Sequence, residues 1–387
     1  MIVSRLILKN WRNFRDVDVA LRPRMFLVGP NAVGKSNLLD VFRFLRDIAS
    51  IEGGGLQKAV RDRGGLPKLR CLFARQNPDI EIEVHLSDSP GDPPTWRYGI
   101  GIGASRKQRQ LFLKHERVWK GEKLILNRPD KQDEKDEARR SQTHLEQINA
   151  NEEFREIADF FGSVTYLHLI PQVLKFPGIW GVQQMEQDPF GQGFLERVAL
   201  TADKTRSARL KKIEEALRVA VPQLAQLRFT REEATGRPHL EAMYQHWCPK
   251  AGWQREDQFS DGTLRLIALL WSLLEGKSVL LLEEPELSLN TAIVRRLAPI
   301  ISRMQQQRKS ARRQILVSTH SLDLLRDPGI DGNETLLLIP QSEKGNRVEI
   351  ATSNEDIRIA LEAGLSVGDV IPDKTAPANI GQLDLFR

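Results

Sequence analysis

The chain has 387 residues, 40% of them apolar and 28% charged, with a formal charge of +6. This composition excludes a disordered or collagen-like chain and suits one large α/β unit with an inserted subdomain, while the charge permits a nucleic-acid partner without demanding one. No apolar run approaches the ~18 residues of a membrane helix, no charged-then-apolar leader opens the sequence, and Cys71 and Cys248 form no C-x-x-C pair. A cytoplasmic protein with no membrane partner, disulfide framework or zinc site is therefore expected.

In chain order, residues 2–8 alternate as a strand, Asn10-Trp11-Arg12-Asn13-Phe14-Arg15 interrupts, and Val17, Val19 and Leu21 resume the alternation. The pattern predicts a hairpin with Arg12 and Asn13 at its turn, in a position to face a nucleotide. Met25-Phe26-Leu27-Val28 then reads as a buried strand, and Leu38, Leu39, Val41, Phe42 and Leu45 recur at helical spacing. Between them lies G-P-N-A-V-G-K-S, Gly29 to Ser36, which fits the phosphate-binding pattern G-x-x-x-x-G-K-[S/T] residue for residue. A strand-loop-helix context is what that motif needs, because loop N–H groups and the helix N-terminus must converge on phosphate. Gly29 and Gly34 permit the wrap, Lys35 reaches the β- and γ-phosphates, and the Ser36 hydroxyl joins a Mg²⁺ shell. Asn31 and Asn37 complete the expected nucleotide contacts.

Gly53-Gly54-Gly55 stops the helical pattern, and a Gly- and Arg-rich loop runs through Gly64-Gly65 to Arg70. Residues 80–86, 96–102 and 111–118 read as strands of an antiparallel lobe. From 127 to about 158 the composition turns to dense mixed charge, which predicts a solvated helix or a mobile insertion. Residues 164–170 form an apolar strand ending at Pro171-Gln172. Leu210, Ile213, Leu217 and Val221 mark a helix whose other face carries Lys204, Arg206, Arg209, Lys211 and Lys212.

Phe259-Ser260-Asp261-Gly262-Thr263 opens an apolar helix that Ser260 or Asp261 can cap. Residues 278–282 are a continuous hydrophobic strand ending in Glu283-Glu284-Pro285, the acidic strand end expected beside a P-loop: Glu283 holds Mg²⁺, and Glu284 orients or deprotonates the attacking water. Residues 315–320 form another buried strand ending in His320. The four-part division expected from these signals is 1–126, an N-terminal lobe with the P-loop and antiparallel strands; 127–232, an inserted helical region; 233–371, a C-terminal lobe with the acidic strand end; and 372–387, a flexible tail.

A P-loop, Ser-x-Gly at a helix start, a strand with Glu-Glu, Ser288-Leu289 just after and a strand ending in His, in this order, resemble the ABC class of ATPases. Asn10 to Phe14 and Glu-Pro-Glu-Leu-Ser-Leu resemble, within that class, the heads of SMC and RecF proteins and the overcoming-lysogenization-defect (OLD) family. The resemblance covers roughly residues 1–350. It implies an α/β fold with a mixed or parallel core sheet, an antiparallel β lobe and an inserted helical region. By the same resemblance Gly29 to Ser36 is the Walker A loop and Ser260 to Thr263 the signature, with Ser260 and Gly262 touching nucleotide. Glu283 and Glu284 are the Walker B end, Ser288 and Leu289 the D-loop, His320 the switch histidine, and Gln172 the Q-loop residue that senses Mg²⁺ and γ-phosphate.

The sequence departs from the family pattern in having Asp261 where Gly is frequent, Ala32 where Gly is frequent and Glu283 where Asp is usual. The implied activity is ATP hydrolysis in a head-to-tail homodimer, each protomer closing the other's ATP, in DNA maintenance or anti-phage defence and in control of a separate effector such as a nuclease. An ABC transporter subunit and a small-molecule P-loop kinase are alternatives. A complete OLD nuclease is not expected, since the stretch after His320 holds no Asp-x-Asp in a suitable setting. The end, Gln382-Leu383-Asp384-Leu385-Phe386, resembles the motif by which bacterial proteins dock on the replication sliding clamp, with Gln382, Leu383, Leu385 and Phe386 as the contacts.

Overall fold

The computed structural model describes residues 1–51, 53–74, 79–104, 111–176, 190–191, 193–245, 252–276, 278–306, 313–341 and 344–372. Cys248, the clamp-like end and residues 307–312 of the Arg-rich segment 303–313, which together with the basic helix at 204–212 is expected from the sequence to contact DNA, lie outside them.

The expected hairpin opens the chain, with Ile2–Trp11 and Phe14–Ala20 antiparallel and Trp11 opposite Phe14. The interruption foreseen at 10–15 shrinks to the two-residue turn Arg12-Asn13, with Asn10 and Arg12 at φ 56° and 50°. Trp11 extends the strand because it is fully buried, its ring 5.2 Å from that of Phe44 and its indole N–H donating to the Asn37 carbonyl at 2.8 Å. The hairpin continues into an antiparallel sheet in the spatial order Phe14–Ala20, Ile2–Trp11, Ile80–Ser87, Trp96–Ala104, Leu111–Lys120 and Lys123–Arg128. Its period-2 pattern buries Ile80, Ile82, Val84 and Leu86.

A second sheet runs Arg347–Ile350, Thr335–Ile339, Arg24–Val28, Ile315–Ser318, Leu280–Glu283, Thr165–Leu167. Arg24–Val28 has parallel neighbours on both sides, and Arg347–Ile350 is the antiparallel edge. Met25, Phe26, Leu27 and Val28 are all buried, as a continuous apolar run requires when both sheet faces are covered. In such sheets ligands bind beyond the carboxyl ends of the strands, where Gly29 begins the P-loop.

Two compact units divide the chain: Met1–Thr165 with Lys277–Leu281 and Arg308–Arg387, and Tyr166–Gly276 with Leu282–Gln307. In the second, the helix Asp203–Ala220 buries Leu210, Ile213 and Leu217, and a three-stranded sheet is ordered Gln254–Arg255, Pro238–Tyr244, Leu224–Arg231. The helix Asp261–Leu274 is buried along most of its length, with Trp271 edge-on to Phe194.

Several expectations are corrected. The charged stretch from 127 does hold a solvated helix, but a short one, and it is fixed by buried charges as well. After Lys123–Arg128 it folds into a short helix, Lys131–Lys135, capped by Asp130, and a 3₁₀ turn, Glu137–Ser141. Lys131, Glu134, Lys135, Asp136 and Glu137 are exposed, but Arg128 and Asp133 turn inward and pair with both side chains at 0% exposure. The Gly- and Arg-rich loop contains two helical turns, Leu56–Arg61 and Leu66–Leu69. The strand foreseen at 164–170 is only Thr165–Leu167, and Gln172 lies in the helix Pro171–Lys175, since a proline suits the first helical turn. Val221 falls just past its helix. Arg313, counted among the basic residues for DNA, is 2% exposed and donates to the Ser278 carbonyl at 2.8 Å. Among the described residues no helix is long and apolar enough to cross a membrane.

Candidate nucleotide site

The P-loop leaves its strand at Gly29 and enters the helix Lys35–Ala49 through Gly34 at φ 104°. A Cβ at Gly34 would collide with the Asn13 carboxamide, so both its left-handed backbone and the space demand glycine. Ala32, the departure from glycine, also sits in the left-handed region at φ 62°. Lys35 is 6% exposed and its ammonium donates to the Gly29 and Pro30 carbonyls at 2.9 and 3.1 Å. Asn31, Ala32 and Ser36 are exposed at the mouth of the loop.

Behind the loop, Asn13 and Asn346 both donate to the Val33 carbonyl at 2.7 Å, and Asn37 donates to the Asn13 side-chain oxygen at 3.0 Å. Asn13 thus braces the loop's outer turn. Arg12 is turned to Asp40 on the P-loop helix at 2.6 Å, where Arg63 also binds in a fork at 3.0 Å. Burial pushes the Asp40 carboxyl up, but Arg63, Arg12 and Arg43 outweigh it and hold it below its usual range. His320 is exposed two residues beyond Ser318, which is paired in parallel with Leu27. It therefore stands at the same strand ends as the P-loop.

In the second unit, Glu283 ends its strand and accepts a hydrogen bond from the Tyr166 hydroxyl. Glu284 and Ser288 have φ 44° and 61°, a conformation costly to residues with a Cβ that persists only where the surrounding structure over-determines it. A Cβ at Gly262 would lie 2.6 Å from the Ser288 carbonyl oxygen, so the signature and D-loop backbones approach to a distance that only glycine allows. Ser260, not Asp261, caps the signature helix: its Oγ accepts from the Thr263 N–H at 3.1 Å. Gln172 and Lys175 each donate to one oxygen of Asp261 at 2.7 Å.

In the first unit the structure thus brings Asn13, Gly29, Asn31, Gly34, Lys35, Ser36, Asn37 and His320 to the P-loop and its strand ends, whereas Arg12, expected to face the nucleotide, is paired with Asp40. In the second it gathers Gln172, Ser260, Gly262, Glu283 and Glu284. In the first unit the loop, with Ala32 and Gly34 left-handed, forms an anion cradle of the kind that suits a nucleoside triphosphate, and the exposed Ser36 hydroxyl is an oxygen of the kind Mg²⁺ takes; in the second, Glu283 and Glu284 are carboxylates of that same hard-oxygen kind. Among the described residues no cluster of three His, Cys, Asp or Glu side chains forms a protein-only metal cage.

A family model described as "AAA domain, putative AbiEii toxin, Type IV TA system" matches residues 24–327. The chain belongs to this family. It carries an AAA/ABC-type ATPase domain, and ATP binding belongs to that assignment. The "DNA replication and repair protein RecF" of Clavibacter sepedonicus is 34% identical over 90 residues, covering 23% of this chain and 22% of the relative. That of Synechocystis sp. is 30% identical over 112 residues, 29% of this chain and 28% of the relative. The chain thus spans under a third of the length of these curated relatives.

Its fold is that of SMC heads. A crystal structure of the SmcHead bound to the C-winged helix domain of ScpA matches with a TM-score of 0.56 at 16% identity, covering 90% of this chain and 98% of that one. The Smc head domain derived from Pyrococcus furiosus matches at 0.51 and 14%, covering 94% and 99%.

Sequence reading missed Tyr166, Lys175, Asn346 and the Asp40–Arg63 pair. Tyr166 and Asn346 act across 117 and 313 positions of chain, and no local pattern reports such pairings. For Asp40 a signal existed, a carboxylate set among apolar residues in the middle of its helix, with Asp47 two turns further on.

Proposed function

We propose that this chain hydrolyses ATP as a head-to-tail homodimer and uses the cycle to control a separate effector in DNA maintenance or anti-phage defence. The observation that carries the reading is the signature turn, where Ser260 opens a 14-residue helix and Gly262 packs on the D-loop, in a chain that also has a P-loop. Lys35 and the loop N–H groups hold the phosphates; by their places in the motifs Ser36, Glu283 and Gln172 are the residues that would hold Mg²⁺. Mg²⁺, when bound, neutralises charge on the phosphate oxygens. Glu284 positions the attacking water and accepts its proton, with His320 beside the γ-phosphate. Ser260 and Gly262 of the second protomer donate to that phosphate, aided by the helix dipole. Hydrolysis removes the anion and loosens the dimer. Light scattering of Glu284→Gln with and without saturating ATP tests the reading, and a protein that stays monomeric in ATP overturns it.

DNA is the proposed ligand of the dimer, in keeping with the RecF likeness. Lys204, Lys211 and Lys212 are exposed along the helix Asp203–Ala220, while Arg206 and Arg209 lie over the rings of Phe229 and Trp271. If the three lysines contact phosphates, changing all three to Ala lowers affinity and flattens the salt dependence by about 0.9 in log–log slope per lost contact. Fluorescence anisotropy with ATP present measures this, and an unchanged slope assigns DNA binding elsewhere.

A partner of a second kind is proposed for the end of the chain: Leu385 and Phe386 fill an apolar pocket of the sliding clamp while Gln382 and Leu383 fix the register. An affinity of about 1 μM, roughly −8 kcal/mol, is expected. Leu385→Ala with Phe386→Ala should abolish calorimetric heat with purified clamp and leave ATPase activity intact. Absence of heat with the wild-type chain refutes the docking.

A further inference from the structure

The signature of this chain carries a carboxylate, Asp261, at the first position of its helix, where glycine is frequent in the pattern it resembles. Asp261 bears on the head-to-tail reading, and the inference drawn from it rests on that reading: in such a dimer its carboxylate faces the most anionic part of the partner's nucleotide. A bare negative charge there would oppose closure, since like charges brought together at an interface are strongly unfavourable. Asp261 is not bare. Lys175 Nζ lies 2.7 Å from Oδ1, and Gln172 Nε2 donates to Oδ2 at 2.7 Å.

Both donors come from the short helix Pro171–Lys175, where positions three apart share a face. Val173 and Leu174 are buried and anchor that helix, while the Lys175 side chain is only 12% exposed, so the ammonium is held and not merely nearby. Asp261 thus accepts from a cation and from an amide at once, the Lys175 ammonium on one carboxylate oxygen and the Gln172 carboxamide on the other, so its charge is answered in place.

We propose that Lys175 is a positioning residue for the signature: it neutralises Asp261 so that Ser260 and Gly262 can receive the partner's γ-phosphate, and with Gln172 it ties the Q-loop helix to the signature helix. The signature and the Q-loop glutamine then move as one piece. Loss of Gln172 alone removes a neutral donor, whereas loss of Lys175 exposes a full charge.

The test uses the full chain in the Glu284→Gln background, with dimerisation by ATP followed by sedimentation equilibrium. Lys175→Met should weaken the ATP dimer about tenfold or more, because the unanswered carboxylate remains. Adding Asp261→Asn to Lys175→Met should restore the dimer to within about threefold, since an amide brings no charge to oppose. A role in packing alone predicts no rescue, because the double variant has still lost the lysine. Melting curves establish that each variant is folded, and Lys175→Arg, which keeps the charge, should retain the dimer if misfolding is not the cause. A Glu284→Gln parent that stays monomeric overturns the composite-site reading and this inference with it. A dimeric parent unaffected by Lys175→Met, or a Lys175→Met defect that Asp261→Asn does not relieve, overturns the neutralising role alone.

Discussion

Lys35→Ala should lose ATP binding and hydrolysis together, with turnover down on the order of 100-fold or more, the cost of deleting one fixed donor from a developing charge. The geometry explains why no neighbour substitutes for it. The Lys35 ammonium is buried under the loop and already oriented by the Gly29 and Pro30 carbonyls, so its position needs little reorganisation when phosphate oxygens arrive. Glu284→Gln should behave in the opposite way, keeping ATP affinity while hydrolysis falls by about 10²-fold or more, because a carboxamide cannot accept the proton of the attacking water. Nucleotide titration and phosphate release on the same preparations separate the two. Wild-type affinity in Lys35→Ala removes the P-loop assignment, and near-normal turnover in Glu284→Gln removes the role given to Glu284.

The second large effect is on stability, at a place remote from the nucleotide. Arg128 is fully buried and makes a two-point pair with Asp133 at 2.7 and 2.9 Å. It also donates to Glu116 at 3.1 Å and to the Arg139 and Gln142 carbonyls at 3.0 and 2.9 Å. Glu116 collects further donors from the Tyr98 hydroxyl and the His144 and Leu145 N–H groups. The edge of the antiparallel sheet is thereby fastened to the stretch after it in the chain.

Arg128→Met leaves two buried carboxylates without their cation, which costs about 3–5 kcal/mol. For a chain of this size the melting temperature should fall by about 5 °C or more. The sign with pH comes from Asp133, whose carboxyl is held at about 2 against an ordinary 3.8; burial alone would raise it, and the Arg128 hydrogen bonds overcome that. A depressed carboxyl contributes stability above its unfolded value and loses it as pH falls toward the folded one. The gap between wild type and Arg128→Met should therefore be full at pH 7 and narrow from about pH 4 toward 2. Melting curves across that range, with hydrogen exchange over residues 127–151, measure it. A variant that melts within about 1 °C of wild type at pH 7 shows that the network is not holding this region.

The linear chain announced those parts whose chemistry is local. A P-loop needs its glycines, lysine and serine at fixed spacing, a buried strand such as Met25–Val28 needs a continuous apolar run, and the Ser260 cap comes from one hydroxyl placed before an apolar helix. These signals are dictated by backbone geometry within a few residues, so they are legible without a fold. The order of the motifs likewise pointed to the ABC class, because each sits at a strand end or a helix start that its neighbours in sequence already define.

The tertiary structure alone decided what the charges do. Residues 127–158 read as solvated because a dense run of Arg, Asp and Glu usually is, and many of their charges are exposed; yet Arg128 and Asp133 are buried, since Glu116 of the neighbouring strand meets the same guanidinium. The same holds for Arg12, turned to Asp40, for Arg313, spent on a carbonyl, and for Lys175, spent on Asp261. A charge is exposed or internal according to whether its partner arrives in three dimensions, and most of these partners lie from about ten to a hundred positions away in the chain, beyond the reach of any periodicity.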